Sequence, residues 1–139
     1  FLFKFSQPLV ISPVDNYETT EPILFKIENA NRVLISKDKN FTNPIEIKFD
    51  GKKVTLEPGE YFWKAESLTG LKSEIRTLKV ISKIELKIRK INDSFEVVNG
   101  GNVNLRVKVF NDTDFLESFI LLPEERKESK GNKFFGEEK

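Results

Sequence analysis

Apolar and polar side chains alternate along most of this chain, in short runs broken by turn-forming residues. Ile23, Phe25 and Ile27 share one face of a first run, and Val33-Leu34-Ile35 follows. Ile45-Glu46-Ile47-Lys48-Phe49 puts apolar residues on one side and charges on the other. A period of two is the mark of a half-buried strand, because successive side chains point to opposite faces. Asp50-Gly51 supplies a hairpin turn, since both residues tolerate positive φ, and Lys53 to Leu56 is predicted to return beside the preceding run. Tyr61 to Ala65 comes next, then Ser73 to Ile81 after Thr69-Gly70. A second set starts at Lys83. Ile84, Leu86 and Ile88 face one way, and Lys83, Glu85, Lys87 and Arg89 the other. Phe95 to Val98 leads to the turn Asn99-Gly100-Gly101-Asn102. Val103, Leu105, Val107 and Val109 then alternate with Asn104, Arg106, Lys108 and Phe110. Asn111-Asp112-Thr113-Asp114 turns the chain into Phe115 to Leu122. No segment keeps a 3.6-residue period over about eleven residues, so helix is predicted to be minor.

Short strands at this spacing read as an all-β protein built on antiparallel sandwiches. Residues 8–81 make one module, and 82–122, with a tail to 139, a smaller second one. The boundary near Ile81 to Lys83 carries no Pro/Gly linker. After Pro123 the composition shifts to Glu, Lys, Arg, Asn and Gly, which reads as mostly loop or frayed tail with an aromatic island at Phe134-Phe135. The second module is then thin, about half a sandwich. It is expected to lean on the first, or to be completed by Phe1 to Phe5 or by Phe134-Phe135.

Composition narrows the function. Hydrophobic residues are 38% of the chain, enough for a core under a surface of 32% charged residues. Lys+Arg is 23 and Asp+Glu 22, for a net charge of +1, and this balance argues against nucleic acid as a partner. Cys and His are absent. That excludes disulfides, Cys-ligated metal sites and Ser-His-Asp or Cys-His catalysis within the chain. The carboxylates are scattered and no two are singled out as an acid–base pair. A non-enzymatic protein without cofactors is expected. No run of roughly eighteen apolar residues would cross a bilayer, and the opening stretch lacks the features of a signal peptide.

The segment Val54-Thr55-Leu56-Glu57-Pro58-Gly59-Glu60-Tyr61-Phe62-Trp63-Lys64-Ala65 resembles the E–F corner of fibronectin type III-like domains, with Leu56-x-Pro58-Gly59 followed by Tyr61 and alternating apolar residues. The resemblance implies a tyrosine corner, in which the Tyr61 hydroxyl bonds backbone a few residues upstream and Trp63 and Ala65 continue into the core. Ser12-Pro13 and Val33 to Phe41 are also similar to bacterial and archaeal members, so the likeness runs from Pro8 to Ile81. The usual core tryptophan near strand B has no counterpart, and Phe25 is expected to take its place. Val98 to Val107, with the turn Asn99 to Asn102, is similar to immunoglobulin-like repeats of prokaryotic envelope proteins. These likenesses imply an extracellular, cell-surface protein, archaeal by preference. They imply a structural or adhesive segment of a membrane-anchored protein, with other protein (itself or envelope components) as its main partner.

Phe1, Phe3 and Phe5 alternate at the start of the chain. Three explanations stay open: the outer end of a membrane anchor lying upstream, a strand that completes a neighbour's sandwich by donor-strand complementation in an extracellular filament, or packing against the chain's own second module. A carbohydrate-binding module is a third function class, with glycans as partner. Three acceptor patterns for N-glycosylation lie in turns, at Asn40, Asn92 and Asn111. Asn111 to Asp114 has oxygen ligands for calcium but lacks the glycine and distal glutamate of an EF-hand loop, and a plain turn is the expectation. The basic residues from Lys83 to Lys90 are expected on an edge strand. Phe62 and Phe110 lie opposite the apolar face of their strands, and packing between modules is the preferred reading of both.

Overall fold

The computed structural model describes residues 7–139; Phe1, Phe3 and Phe5 lie outside them. Among the described residues the protein is entirely β, with no helix. The chain divides into two compact units, the first ending at Ile81 and the second beginning at Ser82.

In the first unit β1 (Leu9–Ser12) pairs with β3 (Lys26–Glu28). A larger sheet has the order β2 (Tyr17–Thr19), β7 (Arg76–Val80), β6 (Gly59–Glu66), β4 (Arg32–Ser36), β5 (Ile45–Lys48). The alternation read from the sequence decides what is buried. Val10, Ile23, Phe25 and Ile27 meet Val33, Ile35, Tyr61, Trp63, Ala65, Leu78 and Val80 in one core, consistent with a β-sandwich. The Phe25 ring meets fully buried Trp63 edge-on at 4.8 Å. Burying each such side chain stabilises the unit by about 1.5–3 kcal/mol.

Two expectations for this unit need correction. Asp50-Gly51 turns the chain, with Gly51 at φ 76° and the Asp50 carboxylate accepting from the Lys52 N–H at 2.9 Å. The returning stretch, however, does not pair with β5. Val54 bridges Ile23 through two backbone hydrogen bonds, of 2.8 and 2.7 Å, because this lets Val54 and Leu56 pack against the core. Nor is every pairing antiparallel. β2 runs parallel to β7, since the chain leaves β1 for the opposite sheet after the cis Ser12-Pro13 bond without reversing direction.

The second unit also has two sheets, β11 (Asp114–Leu121), β10 (Leu105–Asn111), β13 (Lys133–Glu138) and β12 (Arg126–Ser129), β9 (Ser94–Asn99), β8 (Leu86–Ile91). Val97, Val103, Leu105, Val107, Val109 and Leu121 form its core. Residues 123–139 are therefore not a frayed tail, and the unit is not half a sandwich. β13 lies along β10, setting Phe134 opposite Val109 and Gly136 opposite Val107. β12 lies along β9, and its inward side chains are Lys127 and Ser129. They close the β11–β12 side of the sandwich. The Ser129 hydroxyl donates to Glu117 at 2.9 Å, Lys127 pairs with the same carboxylate at 3.3 Å, and its Nζ sits 4.2 Å over the Phe119 ring.

Candidate functional site

The corner residues hold structure together. Tyr61 is buried and its hydroxyl donates to the Glu57 carbonyl at 2.5 Å. Burial, and then the nearby Glu57 charge, raise the Tyr61 pKa, so the hydroxyl keeps its proton. Gly59 has φ 155°, a backbone conformation that side-chain-bearing residues rarely adopt. Between Leu56, which packs on the core, and Gly59, Pro58 fixes φ through the corner. Trp63 lies two residues beyond Tyr61 on the same face and belongs wholly to the core.

A cleft of about 460 Å³ opens beside this corner, lined among others by Ser36, Asp38, Asn43, Leu56 and Tyr61. Two carboxylates line it, Asp38 and Glu57, and that of Asp38 is already committed. Asp38 accepts from the Ser36 hydroxyl at 2.8 Å, the Thr42 hydroxyl at 2.7 Å and the Thr42 N–H at 3.2 Å. The Thr42 hydrogen bond leads in holding its pKa below the ordinary aspartate value. An ionised, saturated carboxylate shapes a loop and is a poor proton donor.

The three glycosylation patterns are not gathered in one place. Asn40 is exposed in the loop after β4, but the hydroxyl of its Thr42 is taken by Asp38. Asn92 is exposed at φ 52° in the two-residue turn joining β8 to β9. Asn111 is exposed at the end of β10, opposite Asp114. In the turn that follows, Asp112 and Asn132 are joined twice, at 2.8 and 3.0 Å, which gives the Asp112 carboxylate a structural partner. Among the described residues no three or more acidic side chains gather to hold a metal ion.

The basic stripe runs along an edge, since β8 ends its sheet, and acidic partners balance it. Glu85 pairs with Lys83 at 3.1 Å and Lys87 at 3.5 Å, and the Lys83 hydrogen bond leads in lowering its pKa. Glu96 lies 3.3 Å from both Arg89 and Arg126.

Two features escaped the sequence reading. Phe110 does not stand alone on the outer face of its sheet. Phe115 and Phe135 meet it edge-on, each with ring centroids 5.7 Å away, and they are 53% and 60% exposed. Phe135 joins this group only because 133–138 is a strand. The other is Asn99, fully buried. Its amide donates to the carbonyls of Val103 at 2.7 Å and Leu121 at 2.9 Å, and its oxygen accepts from the Gly101 N–H at 3.0 Å. The turn around it tolerates no side chain at Gly101, where a Cβ would stand 2.0 Å from the Lys83 carbonyl oxygen. No family model, curated protein or solved structure matches this chain.

Proposed function

We propose that this chain is a non-enzymatic structural or adhesive segment of a membrane-anchored prokaryotic surface protein, made of a fibronectin type III-like unit followed by an immunoglobulin-like one. The path of the chain through the first unit carries this reading. Gln7 is tied by its carbonyl to Asn29 at 3.3 Å. Asn29 precedes β4, at the pole where Arg32 opposes Glu66 and β7 is about to begin. The chain leaves at the other pole, where Gly59 opposes Val80 and the Ile81 N–H donates to Thr19 at 2.8 Å. Entry and exit are thus at opposite ends, and the parallel pair β2–β7 lies between them.

Tension along the chain slides β2 and β7 past each other and loads their hydrogen bonds together. Asp15 reinforces this pair, accepting from the Thr77 N–H at 2.7 Å and its hydroxyl at 3.1 Å. A unit threaded end to end and clamped in shear suits a spacer that carries load outside the cell. Protease shaving of intact cells is expected to release peptides of this chain, and recovery only after lysis would exclude the surface location. Pulling the purified chain is expected to give a force peak for the first unit that drops in Asp15→Ala. A unit that opens without measurable resistance would remove the load-bearing role.

Carbohydrate recognition is a second reading, favoured by the exposed rings of Phe115 and Phe135, because flat apolar surface stacks on sugars. Binding on a glycan array that disappears in Phe135→Ala would support it; an array without signal would end it.

A further inference from the structure

The two sides of the second unit are finished differently. On the β11–β12 side, Lys127, Ser129 and Glu117 shut the space between the sheets. On the β8–β13 side, among the described residues, nothing comparable does so. Ile88 lies opposite Val97, and Leu86 opposite Asn99, so both belong to the inward face of β8. Yet Ile88 is 48% exposed, and Ile84, two residues before Leu86 in the approach to β8, is 54% exposed. Across the seam stand half-buried Phe134 and exposed Gly136, with the Leu86 side chain beside Gly136 and a Phe95–Phe134 ring contact at 5.8 Å behind them. β8 and β13 are both edge strands, with one row of backbone groups unpaired within their sheets. An inward-facing apolar row left half exposed along an open edge is what a sandwich one strand short presents.

We propose that this seam takes the segment Phe1 to Phe5 of a second copy as an added strand along β13. The segment has the required pattern. Phe1, Phe3 and Phe5 alternate, as Ile84, Leu86 and Ile88 do, so one face of an extended strand lays three rings on that row. Leu2 and Lys4 would then face outward, on the side of β13 that carries Glu137, itself 3.9 Å from Lys108. The second copy is favoured by the threading of the first unit. Gln7, to which the segment is joined, sits at the first unit's pole opposite Ile81, where the chain passes on to the second unit. This contact repeats without closing on itself and builds a chain of copies. The inference rests on the structural reading above, but its test is made in solution and does not depend on location.

The test uses the full chain and two variants, each first shown by circular dichroism to be folded. Ile88→Asp keeps the segment and spoils the seam, and Phe3→Asp does the reverse. Sedimentation of the unaltered chain is expected to show mass rising with concentration past roughly twice the monomer. Each variant alone should remain monomeric, and an equimolar mixture should form a one-to-one dimer, since one intact seam and one intact segment survive. A synthetic peptide FLFKFS should reduce assembly of the unaltered chain. A chain monomeric at every concentration, assembly that persists in both variants, or a mixture that does not pair would each overturn the proposal. Protection of Ile88 by the segment within a monomer would overturn the choice of a second copy. Failure of the shaving experiment with success here would remove the surface reading and leave the strand exchange standing.

Discussion

Asn99 and Tyr61 are both polar groups held inside a core, and they differ in what depends on them. Tyr61 makes one bond to one carbonyl. Tyr61→Phe is expected to cost about 0.5–1.5 kcal/mol, read from chemical denaturation followed by the fluorescence of the single tryptophan, Trp63, in the same core. Asn99 satisfies two buried carbonyls and an N–H. Asn99→Leu strands all three and is expected to cost about 2–5 kcal/mol. Hydrogen exchange at the Val107 and Val109 amides would register the loss, and unchanged protection would refute it. The two residues were unequally legible. Leu56, Pro58 and Gly59 lead into Tyr61 in a pattern with a stated mechanical reason, so its hydroxyl partner could be anticipated. Asn99 stands in an Asn-Gly turn that any hairpin could use, and nothing local says that the turn folds inward.

At the level of elements, alternation was a faithful guide wherever the inward side chains were apolar. Val103, Leu105, Val107 and Val109 show the pattern openly and are buried. It failed for β12 and β13, whose inward positions hold Lys127, Ser129, Phe134 and Gly136. With one large apolar side chain among four, the period is invisible and composition reads as tail. Charge on the outward positions, which edge strands favour, deepened the disguise. It failed differently at Val54, where the turn was real but the partner lay in the other sheet, a choice made by core packing at long range. The facing of β13 can be checked with two adjacent substitutions. Phe134→Asp puts a carboxylate against Val109 and Phe95, and is expected to destabilise the second unit by about 2–4 kcal/mol. Phe135→Asp faces outward and should stay within about 1 kcal/mol of the unaltered chain. Equal effects in urea denaturation would mean that the strand register is wrong.

For the molecule as a whole, acid removes charges that the folded chain holds in place. Asp15, Asp38 and Glu85 all have pKa values lowered in the folded chain: Asp15 chiefly by the Thr77 N–H, Asp38 by the Thr42 hydroxyl, Glu85 by Lys83. A carboxylate with a depressed folded pKa stabilises fully above its unfolded value and loses that contribution as pH falls through the folded one. The window therefore opens near the ordinary values of 3.8 for Asp and 4.5 for Glu and extends below them. Stability is expected to be level through neutrality and to fall below about pH 4. Asp15→Asn should flatten that fall, and an unchanged slope would show that the clamp on β7 is not held by charge. Asn99 has one more consequence, on a slower clock. Asparagine followed by glycine is the pair most prone to lose its side-chain amide, through attack by the next backbone nitrogen. Here that nitrogen, of Gly100, donates to the Glu85 carbonyl at 2.9 Å, and the amide is held by two carbonyls, so the folded chain ages slowly. An opened chain loses that shelter, and the aspartate it acquires has no N–H to offer Val103 or Leu121. Each long excursion from the native state thus leaves a chemical record at residue 99 and makes the next return harder, so that the working life of the protein is set by how rarely its second unit opens.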